Sequence, residues 1–119
     1  MKAKDQKRAV NQVEIEGRVI TEPKATWVSE ETMVVNLLLA VDDKDVNRYG
    51  EEYTRTDFFR VNIWGKLAVD CIDVVGKHDK IRIKGALRTR TYKNAEGTRL
   101  YPVEILATGF EAVRTAAKR

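Results

Sequence analysis

Polar and apolar residues alternate along most of this chain with a period of two, the repeat of a β-strand with one buried face. The clearest run is Asp57–Lys66, DFFRVNIWGK, where Phe59, Val61 and Ile63 hold the odd positions and face a core. Its even positions, Phe58, Arg60, Asn62 and Trp64, set two flat aromatics around a cation and an amide. An ordinary wet face carries small polar or charged groups. Two readings stay open: the rings close a second core layer, or they form a surface for flat, negatively charged ligands such as unstacked nucleotides.

Upstream, Asn11–Thr21 alternates Val13, Ile15, Gly17 and Val19 with Gln12, Glu14, Glu16 and Arg18, a one-sided strand. A glycine in mid-strand marks a bend, as at a barrel corner. Pro23 ends the strand because it cannot donate to a ladder. Pro23–Thr32 reads as a polar connection whose Trp27 is either a lid over the barrel end or a binding side chain. Met33–Val41 is apolar on both faces except at Asn36, which predicts a central, buried strand. Asp42–Thr54 reads as a charged loop with a hairpin tip at Tyr49-Gly50 and Tyr53 at its far end.

After Gly65 the period changes. Leu67, Cys71 and Val75 recur every four residues, predicting a short helix with Gly76 as its C-cap. Cys71 on the apolar face predicts a buried, inert thiol, and His78 a surface turn residue. Asp79–Tyr92 returns to period two, with Ile81, Ile83 and Leu87 on one face and Lys80, Arg82, Lys84, Arg88, Arg90 and Tyr92 on the other. Asn94–Gly97 is a hairpin connection, and a last strand spans Thr98 to about Phe110, with Pro102 placing its start at an edge.

Three strands, a helix and two strands is the order of an all-β protein with a five-stranded OB-fold, a Greek-key barrel with one short helix between strands 3 and 4. Such a barrel binds through strands two and three and the loops between strands one and two and four and five. That register gathers Trp27, Phe58, Trp64 and Tyr92 near one groove.

Composition sharpens this picture mainly through charge. The 119 residues suit one domain, are 34% charged, and carry a net +4. Residues 80–99 hold seven cations against Glu96, whereas residues 42–52 hold five carboxylates against two cations. Segregation of that kind, more than the total, is the footprint of a polyanion partner. Residues 1–10 carry a net +3 and read as a flexible basic arm or an expression remnant; 11–110 as the OB domain; 111–119 as a short basic tail. No apolar run reaches the about 20 residues that span a bilayer, and nothing resembles a secretory signal, so no membrane association is expected. The single cysteine fits a reducing, cytoplasmic setting. No phosphate loop, HExxH or metal-spaced His/Cys set is present, so no catalytic residue, metal or cofactor is expected.

Several stretches are similar to bacterial single-stranded DNA-binding proteins of the SSB family. They are NQVEIEGRV at 11–19, EP with Trp27 four residues beyond the proline, NLLLAV at 36–41 and TDFFRVNIWGKLA at 56–68. KGALRTRTY at 84–92 and EGTRLYPVEILA at 96–107 complete a match over about residues 11–108. The resemblance implies stacking of bases on Trp27, Phe58, Trp64 and Tyr92, with Tyr49 and Tyr53 as possible additional platforms where the family often has a tryptophan. It implies single-stranded DNA as partner, in a cytoplasmic, nucleoid-associated setting during replication, recombination or repair. It also implies self-association as a homotetramer, or a dimer, with the first strand as a pairing edge. Ser29-Glu30-Glu31 replaces the family's glycine-rich turn. The chain ends in Ala-Ala-Lys-Arg where most cellular members carry an acidic tail, so recruitment through such a tail is not expected; the chain is either truncated or a tailless relative.

On this reading Arg60, Lys66, Arg82, Lys84, Arg88, Arg90, Lys93 and Arg99 neutralise phosphates. Five neutralised phosphates give a slope of log affinity against log salt of about −3.5 for a single strand. The rivals are a primosomal-type or RNA-binding OB-fold protein using the same groove, a nuclease, and a protein-interaction module. For the nuclease, Asp57, Asp70, Asp73 and Asp79 form no recognisable ligand set.

Overall fold

The computed structural model describes residues 9–114, so residues 1–8 of the expected basic arm and 115–119 of the expected tail lie outside it. Eight strands and one helix follow in order: β1 Val13–Val19, β2 Lys24–Trp27, β3 Met33–Val46, β4 Glu52–Trp64, α1 Lys66–Val74, β5 Lys80–Thr89, β6 Tyr92–Lys93, β7 Arg99–Leu100 and β8 Val103–Arg114. The main sheet runs β1-β5-β8-β4-β3-β2, and β1 also pairs β3 through Arg18↔Ala40 and Val19↔Leu39. That extra pairing closes a ring of five strands, β1-β5-β8-β4-β3. Its helix lies between the third and fourth ring strands, as the sequence pattern predicts. The β4–β8 pairing is parallel, at Val61↔Ile105 and Asn62↔Leu106, and every other ladder is antiparallel.

Gly17 is the corner the alternation pointed to. Up to Arg18 strand β1 pairs β5, and at Arg18 it takes up β3. A Cβ at residue 17 would collide with the Ala40 carbonyl oxygen, so only glycine lets the two backbones meet. Gly85 plays the same part against Leu106, at an irregularity in the β5–β8 register.

Inward-facing positions fill the ring. Val19, Val35, Leu39, Val61, Ile63, Ile81 and Ile83 are fully buried, with Leu37 and Ile105 nearly so. Each such side chain stabilises the fold by roughly 1.5–3 kcal/mol. Helix α1 plugs the structure with Ala68 and Cys71, both at 0% exposure. Burial pushes the Cys71 thiol up to about 11, which makes it the inert side chain expected.

Four element boundaries differ from the pattern-based reading. The charged segment 42–54 is a β-ribbon rather than a loop: β3 and β4 stay in register from Val41↔Asp57 to Val46↔Glu52. Cross-strand pairs hold it where burial does not. Asp42, for example, accepts from Thr56 Oγ1 at 2.6 Å and from Arg18 at 2.9 Å. The tip is where Tyr49-Gly50 predicted it, with the Asn47 carboxamide oxygen accepting from the Tyr49 and Glu51 amides and Gly50 at φ 79°. The supposed connection 23–32 contains β2, because Lys24–Trp27 completes a ladder along β3. The helix ends at Val74 with Val75 in extended conformation, and the left-handed residue nearby is His78, not Gly76. The last two strands are interrupted, at Arg90-Thr91 and at Tyr101-Pro102, setting apart the β6–β7 hairpin, and β8 runs four residues beyond Phe110.

Candidate nucleic-acid interface

Strand β4 is buried on one side only. Val61 and Ile63 are wholly inside, whereas Phe58 is 59% and Trp64 48% exposed, so these rings close no second core layer. Opposite them β3 presents small or flat neighbours, with Ala40↔Phe58, Leu38↔Arg60, Asn36↔Asn62 and Val34↔Trp64 in register. A cleft of about 570 Å³ follows this face, lined among others by Glu22, Lys24, Arg60, Trp64 and Arg90. Its floor includes Asn36, Asn62 and Glu104. The cleft therefore combines a half-exposed indole, cations at the border and amides in the floor. Such a groove can stack a planar ring and hold a phosphate beside it.

The β6–β7 hairpin carries a second cluster. Tyr92 is 51% exposed, and Lys93 lies directly across from Arg99. Like charges opposed in a ladder are destabilising without a counter-charge. Among the described residues no carboxylate lies within ion-pair distance of Arg60, Arg88, Lys93 or Arg99. Arg88 stands on the outer face of β5, opposite Glu104 on β8.

The remaining residues named from the sequence are not brought into this cleft. Arg82 stands farther back along the outer side of β5, where its guanidinium lies 2.7 Å from Glu16, 3.8 Å from Glu111 and 4.0 Å from Glu14. The hydrogen bond to Arg82 holds the Glu16 carboxyl below its usual range, with Lys80 adding to the effect, and Glu16 in turn raises Arg82. Lys84 borders shallow grooves beside Glu14 and Glu111 on that same side. Lys66 opens α1, exposed, with Asp70 at 3.5 Å. Trp27 is 59% exposed at the end of β2, but its register partner is Met33, an inward-facing residue. Trp27 thus stands on the opposite side of the sheet from the Thr26–Val34–Trp64 row. On the ribbon, Tyr49 is 77% exposed beneath the Arg48 guanidinium at 5.8 Å, and Tyr53 donates to Asp45 at 3.4 Å.

Three residues of this surface went unread in the sequence. Lys24 borders the cleft because β2 pairs Lys24 with Asn36, a ladder hidden while the segment read as a connection. Tyr101 is 58% exposed beside the hairpin; its place just before Pro102 was the available signal. Glu104 is 4% exposed in the cleft floor. An acid set between the apolar Val103 and Ile105-Leu106-Ala107 was its signature.

Comparison with known proteins adds a family. Residues 10–113 match the model of the single-strand binding protein family. The chain is 33% identical over 109 residues to single-stranded DNA-binding protein 1 of Streptococcus pyogenes, covering 92% of this chain and 81% of that one. It is 31% identical over 97 residues to single-stranded DNA-binding protein B of Bacillus subtilis, covering 82% and 84%. Several longer relatives are matched over only 54–66% of their length. In structure it superposes on the Plasmodium falciparum SSB in complex with single-stranded DNA, with a TM-score of 0.79 at 22% identity over 92% of this chain and 97% of that one.

Proposed function

Because this chain belongs to the single-strand binding protein family, we propose that it binds single-stranded DNA with little sequence preference and shields it during replication, recombination or repair. The carrying observation is the cleft along β4, where the half-exposed Trp64 stands beside Arg60 on a strand whose other face is sealed. Bases stack on Trp64, Phe58 and Tyr92, each worth about 1–3 kcal/mol and tolerant of any base, since every base has a π-face. Arg60, Arg88, Lys93 and Arg99 neutralise phosphates, and Lys24 joins them at the border of the cleft. Their lack of acidic partners supports that role, because their charge is available. A duplex is refused because its bases are already stacked. The action is binding, with no bond made or broken.

Tyr49, Tyr53 and Trp27 extend the stacking surface when a strand passes the ribbon or crosses the end of β2. Lys66 sits at the mouth of the helix as an auxiliary contact. Arg82 is left out because Glu14, Glu16 and Glu111 hold it, and Lys84 because it stands beside Arg82 and away from the cleft.

Self-association completes the proposal. Residues Val13–Gly17 pair β5 on one side, and their other edge meets β3 only from Arg18 onward. That open edge supports a homotetramer built from strand-to-strand contacts, with a dimer as the smaller alternative. The working place is the cytoplasm, beside the nucleoid.

Fluorescence titration with oligothymidine of increasing length tests this reading. Trp64 emission falls as bases stack, and the saturating length gives the site size together with the oligomeric state. Absence of quenching at low salt refutes it. Competition with oligouridine of equal length separates a DNA binder from an RNA-binding relative.

A further inference from the structure

Glu104 is the buried acid of a cleft whose lining also holds Lys24, Arg60, Arg90 and the exposed Glu22. Its side chain is 5% exposed and both oxygens are engaged: Asn62 Nδ2 donates to Oε1, and the Arg90 guanidinium lies 2.6 Å from Oε2. Arg90 itself is 67% exposed and stands at the border of the cleft. The two partners are not equal. An arginine in water loses little when its acid leaves, but a carboxylate held inside the protein becomes an uncompensated buried charge when its arginine leaves. A phosphate arriving at the cleft therefore competes for Arg90 on unfavourable terms. Arg60, two positions from Asn62 along β4, and Arg88, opposite Glu104 in the β5–β8 ladder, carry no such obligation.

Granting the proposed binding of single strands in this cleft, we infer that Glu104 is a positioning residue that sets how the strand enters. It retains Arg90 as an internal counter-ion, orients the Asn62 amide, and keeps phosphate oxygens off the floor by like-charge repulsion. The strand then goes in base-first, rings against Trp64 and the amides of Asn36 and Asn62, with phosphates out at Arg60, Arg88 and the hairpin cations. Arg90 borders the cleft without neutralising phosphate, so it contributes nothing to counter-ion release.

Salt dependence reads this directly. Log affinity for a fixed oligothymidine is measured against log salt for the full chain, for Glu104→Gln and for Glu104→Gln/Arg90→Ala, each with its melting temperature. Glu104→Gln keeps the side chain's shape and frees Arg90, so its slope steepens by about 0.7, one phosphate's worth for a single strand. The double variant returns to the parent slope. A merely structural role moves the melting temperature and leaves the slope alone, which overturns the inference; so does a steepening that survives Arg90→Ala. Should Glu104→Gln fail to fold, the carboxyl carbon resonance of Glu104 in the unaltered chain decides. It stays in place on adding oligothymidine if Arg90 remains, and moves if phosphate has taken the guanidinium, the result that overturns it. A parent that binds no oligothymidine sinks the proposed function along with this inference, whereas a binding parent with an unaltered variant slope sinks this inference alone.

Discussion

Arg82 and Arg88 stand six residues apart on the outer face of the same strand, yet their surroundings are opposite. Arg82 is met by Glu16 and Glu14 of β1 and by Glu111 of β8, in a region where cation and carboxylate alternate across three strands. Among the described residues Arg88 has no carboxylate within ion-pair distance, and its strand leads on to the hairpin that carries Tyr92, Lys93 and Arg99. The difference separates charge that is present from charge that is available. A polyanion gains from the second kind, because binding it displaces only water and small ions, whereas binding at Arg82 would first break a network already made.

The sharpest break in that contrast comes from the rings. Trp64→Ala and Phe58→Ala should each weaken oligothymidine binding by about 1–3 kcal/mol, roughly 5–150-fold, by fluorescence or anisotropy titration. The melting temperature should scarcely change, because both side chains are about half exposed. If both variants bind like the parent, the binding face is wrongly placed. A smaller effect falls on the salt slope: Arg88→Ala should make it shallower by about 0.7, and Arg60→Ala likewise. Arg82→Ala should leave the slope where it was and lower the melting temperature slightly, the signature of a surface ion pair. A slope change at Arg82 equal to that at Arg88 would erase the distinction between the two regions.

The gentlest test is acid. Glu16 sits below its ordinary 4.5, chiefly through Arg82, and Asp42 sits below its ordinary 3.8 through Thr56 and then Arg18. A carboxyl lowered by folding contributes stability that is fully present above its unfolded value and drains away as pH falls toward the folded one. The parent should therefore lose melting temperature below about pH 4.5, and Glu16→Gln should lose less over the same interval. Equal acid sensitivity in the two proteins would dissociate the network from stability.

Why the two regions could not be told apart from the sequence is itself physical. Period-two alternation shows which residues share a side of a strand, and it placed Val61, Ile63, Ile81 and Ile83 in the core, while leaving open whether Phe58 and Trp64 closed a second layer or faced a ligand. It cannot show which neighbour lies across a ladder. Glu16 reaches Arg82 from 66 residues away, so the run of cations in 80–99 looked like one patch when it is two. The ribbon 42–56 was hidden for a related reason: its strands are held by cross-strand hydrogen bonds between polar side chains, a pattern that composition alone reads as a solvated loop. Trp27 was placed by proximity in sequence to the barrel's first connection, but the pairing of β2 with β3 sets its parity, and that parity puts it on the opposite side of the sheet from Trp64.

The single cysteine offers one last consequence. Cys71 is fully enclosed and its thiol is raised to about 11, so an alkylating reagent at neutral pH can reach it only when α1 lifts away from the ring. Its labelling rate is thus a clock for opening events, with no engineered probe required. Anything that grips the closed form slows that clock by mass action, so occupancy of the surface could be timed from a thiol sealed on the inside.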